Sequence, residues 1–520
     1  MPFTFAFRAL LILVAMLGVH LVFPTTILAV DPADFATIVP IDDGNPTTDD
    51  RAWAVNSVNA PSCKNYALLT SHGYQFTSYY GSDGCLNIAR RNLQNALKHW
   101  DILRTKFTSY NKRDRHNTSC IAVDGDGYLH VVWGVHNNPL LYTRSTTPVT
   151  SGQSLHLFGE SDGNAGSLHD AIPLQATNRS ITYPEFWLVP NSGDLLLTFR
   201  TGSSGRGEYQ LVRWDDKSNT WSKVHVAVGT KASGGEQPFI DDKFEGDDKP
   251  NVNAYLNDLA FSHDGRLQLT WSWRTGGDGR FGFGDYQTNH NVLYAYSDDQ
   301  GKTWKNVEGR TYERDGAHDI DEANAVPVIP LPEGSSIVNQ SHSTVAPDGT
   351  YYLATYWAPL AGEGNHLRQY MLVEFDGKDW KTHQIGLRNP ENENMRIAEP
   401  ELKVFRMSRP LVLVDGDNRL VVIFSDHQRG GGITAAYSES PLRNDWKFVE
   451  LNHQKMGRWE PRYDPVRWQR DGIVSLYYEP EGIESQLMAS GVFEWDARRY
   501  FSSASTAKVP LRAKTREATE

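Results

Sequence analysis

Tyr255-Leu256-Asn257-Asp258-Leu259-Ala260-Phe261, a turn at Asp264-Gly265, Leu267-Gln268-Leu269-Thr270-Trp271-Ser272-Trp273, Val292 to Ser297, and finally Ser297-Asp298-Asp299-Gln300-Gly301-Lys302-Thr303-Trp304 form one unit of the sequence. Its runs are rich in aromatic and branched residues, and the breaks between them carry turn chemistry, which predicts four short antiparallel strands. The last segment matches the Asp-box, a hairpin in which Asp and Gly shape the turn and Trp packs inward. This motif speaks for a fold feature and not for a reaction.

Working outward, the same grammar recurs. One copy begins at His116, turns at Asp126-Gly127 and resumes at Leu140 to Ser145; another starts at Tyr183, turns at Ser192-Gly193 and closes at Trp221. Later copies turn at Asp348-Gly349, Asp417-Asn418 and Asp471-Gly472 and close at Trp380, Trp446 and Trp495, and a weaker copy spans Tyr66 to Trp100. Seven such units, each of roughly 40–50 residues, predict an all-β fold, a seven-bladed β-propeller with long face loops. Thr146 to Ser180 and Lys305 to Ile337 are the clearest of these loops. A stacked solenoid would show shorter and more uniform repeats.

Composition agrees with this reading. The 520 residues include 15 Trp, 23 Tyr and 43 Gly, a balance that suits short strands and tight turns better than helices. Three cysteines are too few for a disulfide framework, so packing must supply stability. Cys63 and Cys85 could pair in an oxidising compartment, while Cys120 falls in an apolar strand pattern and is expected as a buried thiol.

The chain divides into three expected parts. Arg8 and the apolar run Ala9 to Val30, with small residues at Thr26 and Ala29, read as a signal peptide over residues 1–29. The propeller is expected over 30–505 and a polar C-terminal tail over 506–520. A secreted or periplasmic monomer follows, with no membrane association once the signal is removed. A net charge of −12 argues against nucleic acid as partner. It leaves room for an anionic polysaccharide, provided basic groups gather locally.

They do gather in the pattern. The first strand of each propeller blade lies nearest the axis, so residues leading into it and leaving the second strand converge on one face. These positions hold His116, Tyr183, Tyr255 and Arg409, and His136, Arg200, Arg274 and His427. Arg, His and Tyr together suit a carboxylated or sulfated sugar. His130 lies inside a strand between apolar neighbours and is expected to be structural, whereas His136, before Asn137-Asn138-Pro139, falls on a loop.

The stretch Arg115-His116-Asn117, Asp124-Gly125-Asp126-Gly127-Tyr128-Leu129-His130 and Gly134-Val135-His136-Asn137-Asn138-Pro139-Leu140 resembles the signature of the propeller-fold ulvan lyases, a group bearing neuraminidase-like BNR repeats. The resemblance extends through Ile181-Thr182-Tyr183-Pro184, Phe199-Arg200, Tyr255 with Asn257, the Asp-box, Asn339-Gln340-Ser341 and Ser408-Arg409-Pro410. It implies β-elimination at the uronate of ulvan, a sulfated rhamnose and uronic acid polymer. His116 and Tyr183 would then be the base and acid pair, in either order, with His136 as a supporting proton-transfer group. Arg200 would neutralise the carboxylate, and Tyr255, Arg274 and Asn137 would bind substrate. No cofactor is required for this chemistry; a structural zinc or calcium ion is compatible with the family, His290, His342 and His427 being candidate ligands without zinc-type spacing. Two other functions fit the same architecture: a sialidase-like hydrolase, which would need an Arg triad from Arg200, Arg274 and Arg409, and a non-catalytic glycan-binding propeller.

Overall fold

The computed structural model describes residues 30–54, 56, 58–60, 66–95, 99–111, 113–160, 163, 180–203, 206–224, 252–275, 288–313, 320–359, 367–388, 407–480 and 487–507. Cys63, the whole of the expected signal peptide, residues 508–520 of the tail and residues 164–179 of the first long loop lie outside them.

Among the described residues seven antiparallel blade sheets succeed one another, and a small two-stranded sheet pairs Ala52–Trp53 with Leu487–Met488. Blade one comprises strands Leu68–Ser71, Tyr74–Tyr80, Cys85–Asn92 and Asp101–Thr108 in that order. Blade two has Ser119–Val123, Leu129–Trp133 and Leu141–Arg144, and a bridge from Ser145 to Leu157 marks its outer edge. Blade three runs Ile181–Leu188, Leu195–Ser203, Arg206–Asp215 and Thr220–Lys223, and blade four Val252–Phe261, Leu267–Thr275 and Asn289–Ser297. Blades five and six are regular four-stranded meanders from His342 to Gln384 and from Leu411 to Glu450. In blade seven, Ile473–Tyr478 pairs with Gly491–Asp496, and the outermost strand is supplied by the other end of the chain: Ala36–Pro40 pairs antiparallel with Gly491–Asp496.

The inner strands are buried on both faces because each sheet packs against a neighbour on either side, while outer strands such as Ala36–Pro40 and Trp380–Gln384 are largely exposed. Blades one and two meet through Leu69, Phe76, Ile121 and Val131, and blades three and four through Leu196, Leu211, Trp271 and Trp304. The seam that closes the ring joins Leu68 and Tyr79 of blade one to Val421 of blade six and Leu476 and Trp495 of blade seven. Each large apolar side chain sealed in such a seam contributes about 1.5–3 kcal/mol.

The Asp-box forms as its residues dictate. Asp299 Oδ1 accepts from Ser297 Oγ at 2.7 Å and Thr303 N at 2.9 Å, and its Oδ2 accepts from Thr303 Oγ1 at 2.8 Å. Gly301 has φ +92°, and a β-carbon there would stand 2.4 Å from Leu211 of blade three. Glycine is therefore required both by backbone conformation and by the neighbouring blade.

One expected turn is of another kind. Asp471-Gly472 does not join two strands of blade seven; it ends a helix, Pro465–Asp471, with Gly472 as its left-handed C-cap and Asp464 accepting from Arg467 N at the start. A bridge between Tyr463 and Leu476 stands in for the innermost strand.

Candidate active site

Blades two, three and four deliver their axial residues to one place. His116 sits on the loop feeding the first strand of blade two. That loop is fixed by Asp114 N donating to Asn111 O at 3.0 Å and Asn117 N donating to Asp114 O at 3.0 Å. After the second strand of blade two, Gly134 (φ +67°) turns the chain away, and a β-carbon there would meet Ser109 Cα at 2.7 Å. The released segment His136–Asn138 adds itself to the edge of blade three, opposite Ile181 and Thr182. His136 thus crosses from its own blade to the next.

Tyr183 follows at once, in a bulge where the register between the first two strands of blade three shifts between Thr182 and Glu185. Its φ of +56° is uncommon for an aromatic residue, and Asn137 has φ +58°. Bulges of this kind re-aim a side chain. The outcome is a tight aromatic group: the His116 and His136 rings lie 4.4 Å apart between centroids, and Tyr183 is 6.1 Å from His116 and 6.4 Å from His136.

Beneath these rings is a buried cationic layer. Arg200 is 1% exposed, with its guanidinium carbon 5.1 Å from the Tyr183 ring centroid and 5.0 Å from that of Tyr255. Arg274 donates through Nη1 to Tyr255 Oη at 3.0 Å and through Nε to Asn289 Oδ1 at 2.8 Å. Gly207 makes room for the stem of Arg200, since a β-carbon there would fall 2.6 Å from Arg200 Cδ. Burial works against the Arg200 charge, but the neighbouring Tyr255 and Tyr183 outweigh it and the guanidinium is held firmly protonated.

Asp114, which sequence reasoning missed, ties the two histidines together. Its Oδ1 is 2.5 Å from His116 Nδ1 and its Oδ2 is 2.5 Å from His136 Nδ1. Burial opposes its charge, yet the hydrogen bonds from the two imidazoles prevail and hold the carboxyl well below the usual range. His116 is pulled the other way: burial lowers its pKa more than the Asp114 contact raises it, so the ring is neutral at neutral pH.

His116, His136, Asn137, Tyr183, Arg200, Tyr255 and Arg274 are neighbours, in two layers. His116, His136 and Asn137 reach the surface, while Tyr183, Arg200, Tyr255 and Arg274 are buried. Arg200 Nε and Nη1 are sealed and without hydrogen-bond partners among the described residues, with the rings of Tyr183 and Tyr255 against the guanidinium. Arg409 is engaged elsewhere, with Nη1 donating to Glu460 at 2.9 Å and Nε to Asn339 O at 2.7 Å. His290, His342 and His427 stand in blades four, five and six. None belongs to a group of three ligand-type residues, and among the described residues Asp114, His116 and His136 form such a group.

Residues 74–388 match the model of the BNR repeat-containing family. An ulvan lyase of Nonlabens ulvanivorans is 21% identical over 306 residues, which is 56% of this chain, and the match spans 59% of that relative's length. The solved structure of the polysaccharide lyase Uly1 superimposes with a TM-score of 0.60 at 15% identity, covering 89% of this chain and 98% of that one. A PL25 ulvan lyase bound to -[GlcA(1-4)Rha3S]- gives 0.53 at 14% identity, covering 88% and 100%. These two likenesses concern the fold.

Proposed function

The chain belongs to the BNR repeat-containing family, and from that premise we propose that it is a polysaccharide lyase that cleaves ulvan, or a near relative of it, by β-elimination at the uronate. The observation that carries this reading is the meeting of two partly exposed histidines, His116 and His136, with the buried ring of Tyr183 between them and a buried guanidinium, Arg200.

Elimination begins with loss of the proton at C5, beside the sugar carboxylate. Negative charge then builds on the carboxylate, and the leaving oxygen at C4 needs a proton. His116, neutral at working pH, takes the C5 proton on Nε2. Tyr183 protonates the oxygen at C4, and the charge of Arg200 close behind its ring offsets the phenolate left there. Asn137, exposed at the surface, orients the carboxylate, the buried charge of Arg200 offsets the charge that develops on it, and His136 stands by as a supporting proton-transfer group. The electron pair of the C5–H bond becomes the C4–C5 double bond as the C4–O bond breaks. No metal ion is needed in this sequence of proton transfers.

The arrangement also weakens the hydrolase alternative. A sialidase would draw Arg409 toward the sugar carboxylate with Arg200 and Arg274, but its guanidinium is occupied by Glu460 and Asn339.

The test is incubation of the protein with a panel of uronate polysaccharides while following the ultraviolet absorbance of the unsaturated uronyl product. Rising absorbance with ulvan supports the proposal. Release of reducing ends without absorbance makes the protein a hydrolase, and binding without either makes it a glycan-binding propeller.

A further inference from the structure

We propose that Asp114 is a positioning residue that couples His116 and His136 into one acid–base unit: each carboxylate oxygen takes the Nδ1–H of one ring, and both Nε2 atoms are left for the substrate. The inference deepens the lyase reading and rests on it for its kinetic consequences, though its structural content stands alone.

The geometry leaves little freedom. An ionised carboxylate can only accept, so contacts of 2.5 Å to both Nδ1 atoms require both rings to present a proton there. Asp114 is itself held from several sides, its backbone bonded to Asn111 and Asn117 and its Oδ1 also accepting from His116 N at 3.1 Å. Neutral imidazole carries one proton, so a ring with Nδ1–H has a bare Nε2, the atom a base must offer. The two rings lie 4.4 Å apart, close enough for one carboxylate to span both.

The same three residues could be read as a metal site, since their ligand atoms lie within 4.8 Å of one another. The distances favour hydrogen bonds. Two ligands of a tetrahedral zinc, with bonds of about 2.0–2.2 Å, stand roughly 3.3 Å apart. The contacts here, at 2.5 Å, are closer than two ligands of one ion can stand and fall on the hydrogen-bond side of that divide.

The groups facing His116 are Asp114, His136, Arg115 and Tyr183, with Arg200 behind Tyr183. Among them Asp114 is the negative charge that favours imidazolium. Removing it takes away the contact that raises the pKa of His116, so that ring moves further down.

The experiment compares wild type with Asp114→Asn and Asp114→Ala, measuring kcat and KM on ulvan across pH together with the melting temperature. Expected are a kcat lowered on the order of 10²- to 10⁴-fold, KM within a few-fold of wild type, and an acid limb of the pH profile displaced to lower pH. A merely structural role would lower the melting temperature and leave the pH profile in place. In parallel, selective 15N-histidine labelling of wild type should show both site rings as Nδ1–H tautomers at neutral pH, a result that needs neither a variant nor turnover. An Nε2–H tautomer at either ring overturns the proposal. So does a stoichiometric metal ion in the purified protein that Asp114→Asn no longer retains. If wild type turns over no uronate polymer, the lyase reading fails while the tautomer result still decides the place of Asp114.

Discussion

Blade two and the loop that feeds it carry two histidine–aspartate systems of the same chemistry and opposite fate. His130 is fully buried, its Nε2 3.0 Å from Asp124 Oδ2 and its Nδ1 2.9 Å from Tyr142 Oη, with Trp214 and Trp221 against its faces. Arg144 adds a 2.6 Å bond to Asp124 and completes the network. His116 and His136 also lean on an aspartate, but each is partly exposed and spends only Nδ1 on it. A histidine with both nitrogens engaged and no access is a strut; one with a single nitrogen anchored is a tool. The identity of the pair does not separate the cases. Access and the second nitrogen do.

That contrast can be broken by substitution. His116→Ala should lower kcat on ulvan by on the order of 10³-fold or more while the melting temperature stays near wild type. His130→Ala should do the reverse, costing about 2–4 kcal/mol of stability through a cavity and an orphaned Asp124, with kcat of the folded fraction preserved. Equal loss of kcat in both variants would erase the distinction drawn here.

Tyr183→Phe comes next, removing the proton donor but keeping the ring over Arg200, with an expected loss of about 10²- to 10⁴-fold in kcat and little change in melting temperature. Activity near wild type would hand the acid role to His136.

The third probe is acid. Burial lowers His342 to about 3, and His130 is lowered by burial as well. A histidine depressed in the folded state is protonated first in the unfolded chain, so its stabilising contribution is present above an unfolded pKa of about 6.5 and is lost as pH falls below it. The melting temperature should decline from pH 6.5 toward 3, and His342→Asn should flatten that decline. An unchanged slope would mean His342 is protonated without cost.

Smallest is Gly301→Ala in the Asp-box, where a positive φ and the closeness of Leu211 predict a loss of about 1–3 kcal/mol and unaltered kinetics.

Much of this was legible in the chain. Turn residues and aromatic runs recur with enough regularity that the blades are readable, and the axial positions could be taken straight from them because a propeller converts equivalent repeat positions into neighbours. His130 was distinguishable from His136 by its strand pattern alone. Asp114 was not, because its partner His136 arrives from 22 residues away along a segment that crosses to the next blade, and no spacing rule encodes that crossing. An Asp before a polar loop reads as a turn residue. The depth of Arg200 was hidden for a similar reason, depending on Gly207 opposite and on two tyrosines from different blades. The pair Asp471-Gly472 misled because a left-handed glycine serves a β-turn and a helix C-cap equally. Asp464-Pro465, an N-cap followed by proline in the first turn, was the signal that could have found the helix.

The pairing of Ala36–Pro40 with Gly491–Asp496 carries a consequence for biosynthesis. This strand must wait for nearly all of the chain that follows it before it has a partner, which at about 5–20 residues per second means tens of seconds on the ribosome. Throughout that interval it is an unmatched β-edge. Its brevity, its exposed pattern and its terminal Pro40 are features that discourage promiscuous pairing with strangers. The circle is thus sealed only after translation of its final sheet, with the opening strand acting as its clasp.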